Sequence, residues 1–456
     1  MSRPLRILFT NITLASRTGT EVYIKEAALG LLRRGHTPMV YSPNLGEIAE
    51  EIRAATIPVV DDLSRLGAPP DIIHGHHHQQ AMTALLHFPG VPGIFATHDW
   101  AAWHDAPPRF PRIRRYVAVD WTNRDRILFE HGIPEERVRV ILNWADLGRF
   151  PPRGPLPERP RRALVFSNYA RGDTHLPAVQ EACRRAGLPL DVVGAGVGRS
   201  LADPGEVLAG YDLVFAKAKS ALEALAVGTA VVLCDYRGLG EMVTSTGFDA
   251  LRRLNFGYRT LRQPLVPDLI VREIERYDAG DAAEVSRRVR EEAGLEAALD
   301  RLVALYEEVI GEHEREGPAD PGEESRAAAA YLRDWAGWTP HLRELAADID
   351  QQRQRLDLRV RELEEELRAA RLDRDGRLAV LEGELQAARR EDHGRLAELE
   401  EELRATRLDR DRLAEALGAV SGTITWRLRE RLMSAPGLRA AYRTIRKLGG
   451  ETGQRR

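Results

Sequence analysis

Cysteine and long apolar runs are scarce in this chain of 456 residues. Its two cysteines, Cys183 and Cys234, lie in apolar helix or strand patterns, which favours buried thiols over a disulfide or a metal site. No stretch reaches the roughly 18 apolar residues of a membrane span, and Arg3 and Arg6 flank no apolar run of signal-peptide length. A formal net charge of -3 argues against general nucleic-acid binding. We therefore expect a cytoplasmic protein without a nucleic-acid partner.

Lysine is scarce as well. Of the 66 basic residues, only Lys25, Lys217, Lys219 and Lys447 are lysines. Two of them directly precede a short apolar helix pattern whose single acid is Glu223. An ammonium group is a compact charge that suits phosphate, and a helix start also favours an anion. Spacing alone leaves two interpretations open, an anion site or a buried capping glutamate beside solvated lysines.

Strand and helix patterns alternate over the first two thirds of the chain. The run 5–10 has a buried-strand pattern, and 21–34 has apolar residues at helical spacing. Such alternation predicts parallel sheets with helices on both faces, and ligands then collect at the carboxyl ends of the strands. A segment rich in Pro, Arg and Gly at 149–162 indicates a linker. We therefore predict two doubly wound, Rossmann-like domains, 1–150 and 151–316.

The composition changes to Leu, Glu, Arg and Ala after a Pro- and Gly-containing hinge at 317–322. The segment 362–375 recurs at 398–411, an offset of 36 residues. That offset is about ten turns of an α-helix, and leucines recur along one seam. The pattern predicts an oligomerising coiled coil within 317–420, on the order of 100 Å long. A single charged helix is the alternative.

The last segment, 421–456, interleaves basic and apolar residues. Trp426 and Tyr442 alternate with arginines such as Arg427 and Arg443. Basic amphipathic helices with aromatic residues often lie on anionic membrane surfaces. The tail therefore predicts contact with the inner face of a membrane, and packing on the rest of the protein is the alternative.

The most informative stretch spans 220–232, where the sequence is SALEALAVGTAVV. It resembles the second half of the acidic motif of family 4 glycosyltransferases, which have the GT-B fold of two Rossmann-like domains facing a cleft. In that family two glutamates lie eight positions apart. The second binds the nucleotide ribose, and the first contacts the transferred sugar. Glu223 corresponds to the second, and Phe215 stands at the position of the first. The resemblance therefore implies a nucleotide site without the sugar-contacting glutamate.

Further patterns in the first domain resemble this family. The turn 18–21, TGTE, is similar to a Gly-Gly-x-Glu turn that lies against the diphosphate and the acceptor, which implies a binding role for Gly19. The stretch 71–78, DIIHGHHH, resembles a strand end that lines the cleft. Because strand residues alternate faces, its histidines are not expected to share one metal ion. The resemblance implies that His98, rather than His74, contacts the donor sugar region, and a hydrogen-bonded surface histidine is the alternative.

The second domain carries weaker versions of the phosphate-binding segments. The sequence FSNYARG stands where the family has Gly-Arg-Leu-x-x-x-Lys-Gly, whose Arg and Lys hold the diphosphate; Asn168 and Arg171 occupy those two positions. Arginine can hold phosphate bidentately, and Lys217 and Lys219 are candidates for the missing charge. Gly194 belongs to a Val-Gly-x-Gly pattern similar to that of the family.

The resemblance covers about residues 5–310. It implies a retaining glycosyltransferase that uses a nucleotide-sugar donor, a glycan or lipid-linked acceptor, and neither a metal nor another cofactor. His98 and Glu223 are the expected catalytic residues. Two alternatives on the same fold stay open, a catalytically silent module that binds sugar or nucleotide and a nucleotide-sugar epimerase.

Overall fold

The structure is a computed structural model that describes residues 3–199, 204–336 and 339–434. The chain divides into two compact units, residues 1–338 and residues 339–456. The first unit holds two α/β domains, and the described part of the second is a long helix.

The N-terminal domain is built on seven strands and four helices, of which the helices are α1 (Gly19–Arg33), α2 (Glu47–Ala54), α3 (His78–His87) and α4 (Trp121–Asp125). The strands are β1 (Arg6–Thr10), β2 (Thr37–Tyr41), β3 (Val59–Val60), β4 (Ile72–His76), β5 (Gly93–Thr97), β6 (Ile113–Ala118) and β7 (Val138–Val140). They pair in parallel in the order β3-β2-β1-β4-β5-β6-β7. Apolar clusters cover both faces of this sheet, which is why its strands are apolar runs without alternation.

The second domain repeats this architecture on a smaller sheet. Its strands are β8 (Ala163–Phe166), β9 (Leu190–Val193), β10 (Leu213–Ala216), β11 (Ala230–Asp235) and β12 (Gly238–Met242). Their order is β12-β11-β10-β8-β9, and only β12 runs antiparallel. The helices are α5 (Leu176–Arg185), α6 (Gly205–Leu208), α7 (Ala218–Val227), α8 (Phe248–Arg253), α9 (Pro267–Glu275) and α10 (Ala279–Glu292). They cover both faces of the sheet.

The next helix, α11 (Leu295–Glu316), returns to the N-terminal domain. Leu299, Leu302 and Tyr306 are fully buried in the cluster that also contains the apolar face of α1. The two helices approach closely, since a Cβ at Gly30 would lie 2.4 Å from Leu299 Cδ1. Two doubly wound domains joined by this returning helix confirm the predicted GT-B fold.

Helix α12 (Pro321–Ala336) corrects one expectation. We expected the hinge and rod to begin at 317, but this helix packs against the N-terminal domain. Tyr331 contacts that domain's core, and Glu324 accepts a hydrogen bond of 2.7 Å from Arg112 Nε. Arg112 is 1% exposed, so Glu324 balances a buried charge. The contact holds α12 in the first unit.

The second unit contains α13 (Thr339–Ser434), a single helix of 96 residues. A helical extension is therefore confirmed, and the pairing of such helices stays a prediction. Of the predicted basic tail, 421–456, residues 435–456 lie outside the described residues. Within the described ranges, no helix combines the length and the apolar character needed to cross a bilayer.

Candidate functional site

One cleft lies between the two domains, at the carboxyl ends of β1, β8, β9 and β10. Its empty volume, including the space open to solvent, is about 810 Å³. Five of the predicted site residues line it: Gly19, Asn168, Gly194, Lys219 and Glu223. The remaining lining residues are Arg17, Thr18, Val22, Lys25, Arg149, Phe150, Phe166, Ser167, Val193, Pro204 and Ser220.

A network of charges joins the two domains at the floor of this cleft. Glu26, on α1, is 2% exposed and accepts hydrogen bonds from Lys219 Nζ at 2.8 Å and Trp144 Nε1 at 2.9 Å. Arg149 Nη1 lies 3.6 Å from its other oxygen. Lys219 Nζ is also 3.6 Å from Glu223 Oε1, one turn further along α7. A lysine of the second domain is thus held between a carboxylate from each domain.

Glu223 is nearly buried among the apolar side chains of α7. Burial raises the pKa of its carboxyl to about 7, and the negative charge of Glu26 adds to the increase, although Lys219 and Arg149 oppose it. Near neutral pH this group is therefore divided between its protonated and ionised forms. A ligand that donates hydrogen bonds to it, as a pair of ribose hydroxyls does, favours the ionised form.

Two cations on the N-terminal side of the cleft were not assigned from the sequence. Arg17 Nε lies 2.9 Å from Glu47 Oε1, and Lys25 Nζ lies 2.7 Å from Glu51 Oε2. Lys25 is only 7% exposed, although it lines the cleft. The signal for Lys25 was its rarity, because it is one of four lysines in the chain. Arg17 is one of many arginines and had no such signal.

Two of the predicted site residues, Asn168 and Gly194, have structural roles in the loops of the second domain that involve no ligand. Asn168 Oδ1 accepts a hydrogen bond of 3.0 Å from Ala195 N, which ties the loop after β8 to the loop after β9. Gly194 has φ +149°, and a Cβ there would lie 2.0 Å from the Ser167 carbonyl oxygen. Only glycine fits that position. By contrast, a Cβ at Gly19 would meet nothing within 4 Å, so its glycine leaves open space at the cleft.

Arg171 and Lys217 do not line the cleft. The Arg171 side chain is exposed on the loop after β8. Lys217 forms an ion pair with the buried carboxylate of Asp235, and its Nζ lies 5.3 Å from the centre of the Tyr169 ring. Of the two neighbouring lysines, the structure therefore brings only Lys219 to the cleft.

Phe215 proves to be an unsuitable counterpart for the missing glutamate. It lies inside β10, is fully buried, and packs in the apolar cluster on the face of the sheet covered by α5 and α9. Only Lys217 separates β10 from α7, so counting eight positions back from Glu223 ends within a strand. The single residue between β10 and α7 leaves no loop that could carry a second acid. The side chain at position 215 instead packs in the core.

His98 does not line the cleft; it is partly exposed and adjoins the buried His74 and His76. His76 Nδ1 lies 2.9 Å from His98 Nε2, and His74 Nδ1 lies 2.7 Å from Tyr306 Oη. Burial lowers the pKa of His74 and of His98 to about 3, so these rings are neutral at pH 7. The Tyr23 ring packs edge-on against His98 at 4.6 Å. Among the described residues no group of His, Cys, Asp or Glu is arranged to hold a metal ion.

Comparison with known proteins gives a family match for part of the chain. Residues 17–149 match the model of Glycosyltransferase Family 4. A search of curated protein sequences gives no significant match.

Solved structures with a similar fold include a glycosyltransferase from Rickettsia africae, with 14% identity and a TM-score of 0.49, covering 68% of this chain and 99% of that one. Another is Alr3699/HepE from Anabaena in complex with UDP and glucose, with 15% identity and a TM-score of 0.47, covering 66% and 99%. Neither is close enough to transfer a function. The family match nevertheless confirms the resemblance inferred from the sequence: residues 17–149 are similar to family 4 glycosyltransferases, in a chain whose two α/β domains have the GT-B fold.

Proposed function

We propose that this protein is a glycosyltransferase that binds a nucleoside diphosphate sugar in the cleft between its two domains. One observation carries the proposal. Four cations, Arg17, Lys25, Arg149 and Lys219, converge from both domains on a cleft that also contains the nearly buried carboxyl of Glu223. Cations beside a single carboxylate suit a ligand with a charged diphosphate and a pair of ribose hydroxyls.

Each group has a distinct role in this proposal. Glu223 accepts hydrogen bonds from the ribose hydroxyls. Lys219, on the first turn of α7, and Lys25 neutralise the charge that grows on the diphosphate as the sugar leaves, which is electrostatic stabilisation of the transition state. Gly19 leaves space for the phosphates to approach the start of α1. The resemblance implies retention of the anomeric configuration, and we keep that as part of the proposal.

A diphosphate must compete with carboxylates that already pair with these cations. Arg17 and Lys25 pair with Glu47 and Glu51, and Lys219 pairs with Glu26. A hydrogen bond to a charged group contributes about 1.5–3 kcal/mol, so exchanging partners is affordable only if the ligand engages several cations together. A nucleoside, which lacks phosphates, is therefore expected to bind far more weakly than its diphosphate.

A thermal-shift screen of nucleoside diphosphates tests the proposal. A ligand at 100 times its dissociation constant stabilises the folded protein by about 2.7 kcal/mol. We expect at least one of UDP, GDP, ADP, CDP and dTDP to raise the melting temperature, and Glu223→Ala to reduce the shift. The absence of a shift with all five diphosphates would contradict the proposal.

One observation favours a second candidate, a module that binds the nucleotide sugar without transferring it. Only Lys217 separates β10 from α7, so no loop there offers a second carboxylate. Incubation with a radiolabelled donor separates the candidates. Release of free sugar or its transfer to a glycan supports the enzyme, and intact bound donor after prolonged incubation supports the module. Formation of an epimer without an acceptor would instead indicate an epimerase.

We also propose that α13 forms a coiled coil with a second copy of the chain. The seam leucines of the repeat are about half exposed on this helix, for example Leu363 at 48% and Leu403 at 51%. Pairing would remove that apolar surface from water. Sedimentation of the full chain should give an oligomer, and a variant with Leu363, Leu367, Leu399 and Leu403 changed to Asp should be monomeric. A monomeric wild-type chain at tens of micromolar would contradict this proposal.

Membrane contact through 421–456 stays a proposal from the sequence. Flotation with anionic and neutral liposomes should recover the full chain with anionic lipid only, and removal of that segment should abolish recovery. Equal recovery of both forms would exclude the tail as the membrane contact.

A further inference from the structure

Aromatic rings and cations form a continuous row beside the nucleotide cleft. We call it the aromatic row, and in spatial order it consists of Lys217, Tyr169, Tyr236, Arg237, Tyr258 and Trp100. None of its members is used by the proposed nucleotide site.

Each member of the row contacts the next. The ring centres of Tyr169 and Tyr236 are 5.4 Å apart. Arg237 Nε lies 2.8 Å from Tyr236 Oη, and its guanidinium carbon lies 4.8 Å from the centre of the Tyr258 ring. Tyr258 in turn stacks on Trp100 at 5.0 Å with an interplanar angle of 6°. These contacts hold the rings in fixed positions, so a ligand would meet a preorganised surface.

The row begins at the nucleotide cleft and ends on the opposite domain. Tyr169 directly follows Asn168, which lines the cleft. Tyr236 and Arg237 follow the carboxyl end of β11, and Trp100 lies in the loop that follows β5 of the N-terminal domain. A molecule lying along the row would therefore extend away from the nucleotide while contacting both domains.

The first two rings are unusually exposed. Tyr169 is 51% exposed and Tyr236 is 40% exposed. Both are anchored on one side by a cation, Lys217 or Arg237. Exposed aromatic rings that are held in place are typical of binding surfaces, because they offer a large contact area at low entropic cost.

The charge of the row is carried by Arg237. The buried Asp235 neutralises Lys217. Arg237 is exposed and forms no ion pair with any residue in the described part of the chain, although the carboxylate of Asp99 lies near enough to influence it. Its remaining N–H groups are available to a planar anion such as a carboxylate or a phosphate.

We propose that the aromatic row binds an acidic glycan as the acceptor. Sugar rings present C–H faces that stack on aromatic rings, and an anionic group on one sugar would pair with Arg237. This inference rests on the proposed function, because a bound glycan can act as an acceptor only if the neighbouring cleft binds the donor. The binding of a glycan to the row can be tested independently of nucleotide binding.

The test uses the full chain on an array of carboxylated, phosphorylated and neutral oligosaccharides, with titration of each bound glycan at low and high salt. We expect binding to acidic members, weakened by salt. Tyr236→Ala and Arg237→Ala should each raise the dissociation constant at least tenfold. Phe129→Ala, which removes a 79% exposed ring elsewhere on the N-terminal domain, is the matched control and should change it less than twofold. Carboxylated and phosphorylated members of the array identify which anion is preferred.

Three results would overturn the proposal. They are no binding to any acidic glycan, equal binding by wild type and both row variants, and tighter binding of single-stranded oligothymidylate than of any glycan, which would indicate a nucleic-acid platform. Nucleoside diphosphate affinity, measured on the same variants, should stay within twofold of wild type. If the wild-type chain bound acidic glycan through the aromatic row but bound no nucleotide, the glycan-binding proposal would stand and the proposed glycosyltransferase function would be contradicted.

Discussion

The two sides of the interdomain cleft are built differently. On the N-terminal side, Arg17 and Lys25 pair with glutamates of their own domain. On the other side, the principal partner of Lys219 is Glu26, which belongs to the opposite domain. The first arrangement survives separation of the domains, and the second exists only while they are together.

This difference indicates which half of the site responds to domain closure. If the domains move apart, Lys219 loses Glu26 and the pKa of Glu223 loses the influence of a neighbouring charge. The N-terminal cations keep their partners. The C-terminal side is therefore the part whose charge state depends on closure, and the predictions below are ordered from the largest expected effect to the smallest.

The two site glycines should differ most. Gly194→Ala places a Cβ 2.0 Å from the Ser167 carbonyl oxygen at a φ of +149°, so strain and overpacking should lower the free energy of unfolding by about 4 kcal/mol. Gly19→Ala meets no atom and should be at least as stable as wild type, because alanine favours a helix. Its cost should instead appear as an approximately tenfold loss of nucleotide affinity. Denaturant unfolding and calorimetric titration measure the two quantities.

Removing the cross-domain lysine should destabilise the protein more than removing its N-terminal counterpart. Lys219→Met leaves Glu26 buried with only the more distant Arg149 charge, and should lower the free energy of unfolding by about 3 kcal/mol. Lys25→Met should cost about 1 kcal/mol, because Glu51 is partly solvated.

The double variant Glu26→Gln with Lys219→Met should recover most of the lost stability, since neither charge is then left alone. Equal losses for the two lysine variants, with no recovery in the double variant, would show that the cross-domain pair has no special role.

The same pair predicts opposite effects on nucleotide affinity. Glu26→Gln frees Lys219 for the diphosphate, so the affinity should rise about threefold. Adding Lys219→Met should then lower it by at least about tenfold relative to the single variant, the value of one charged hydrogen bond. Lys217→Arg, at a position outside the cleft lining, is the control and should leave the affinity unchanged. If the affinity changed with Lys217→Arg but not with Lys219→Met, the result would favour Lys217 as the phosphate-binding lysine.

The pH dependence of binding should not exceed the effect of Lys219→Met. The pKa of Glu223 is raised to about 7, so the ionised fraction increases from about pH 6 to about pH 8. If ribose binding requires the carboxylate, the affinity should rise by up to about tenfold over that range. The Glu223→Gln variant removes this component and leaves the titration of the phosphate itself.

The stability of the ligand-free protein should change in the opposite sense. Because the folded-state pKa of Glu223 lies above the ordinary glutamate value of 4.5, this group contributes its full stabilisation below about pH 4.5 and loses it as the pH rises through about 7. A pH profile of the free energy of unfolding that is identical for wild type and Glu223→Gln would contradict the raised pKa.

Much of the fold could be predicted because its signals are local. The helix predicted at 21–34 occurs as Gly19–Arg33. Alternating strands and helices determined the two parallel sheets. The attachment of α12 was missed, since Tyr331 and Glu324 lie in a segment whose composition already resembles the rod. Only the folded chain brings Glu324 to Arg112, 212 positions earlier.

The site was predictable in part for a similar reason. Spacing pointed to Glu223 and Lys219, which lie on one helix and line the cleft. It did not identify Glu26, because the contact joins residues 193 positions apart. Spacing also gave Lys217 and Lys219 the same role. In the structure Ala218, between them, has a left-handed backbone conformation, and only Lys219 lines the cleft. Counting back to Phe215 assumed a loop length that the chain does not have.

A crystal structure of the full chain with the nucleoside diphosphate that gives the largest thermal shift tests the central claim most directly. We predict that the diphosphate lies within hydrogen-bonding distance of Lys219 Nζ and that the ribose hydroxyls contact Glu223. A ligand bound at Arg171 or Lys217, with the Lys219–Glu26 pair unchanged and the cleft empty, would contradict the account.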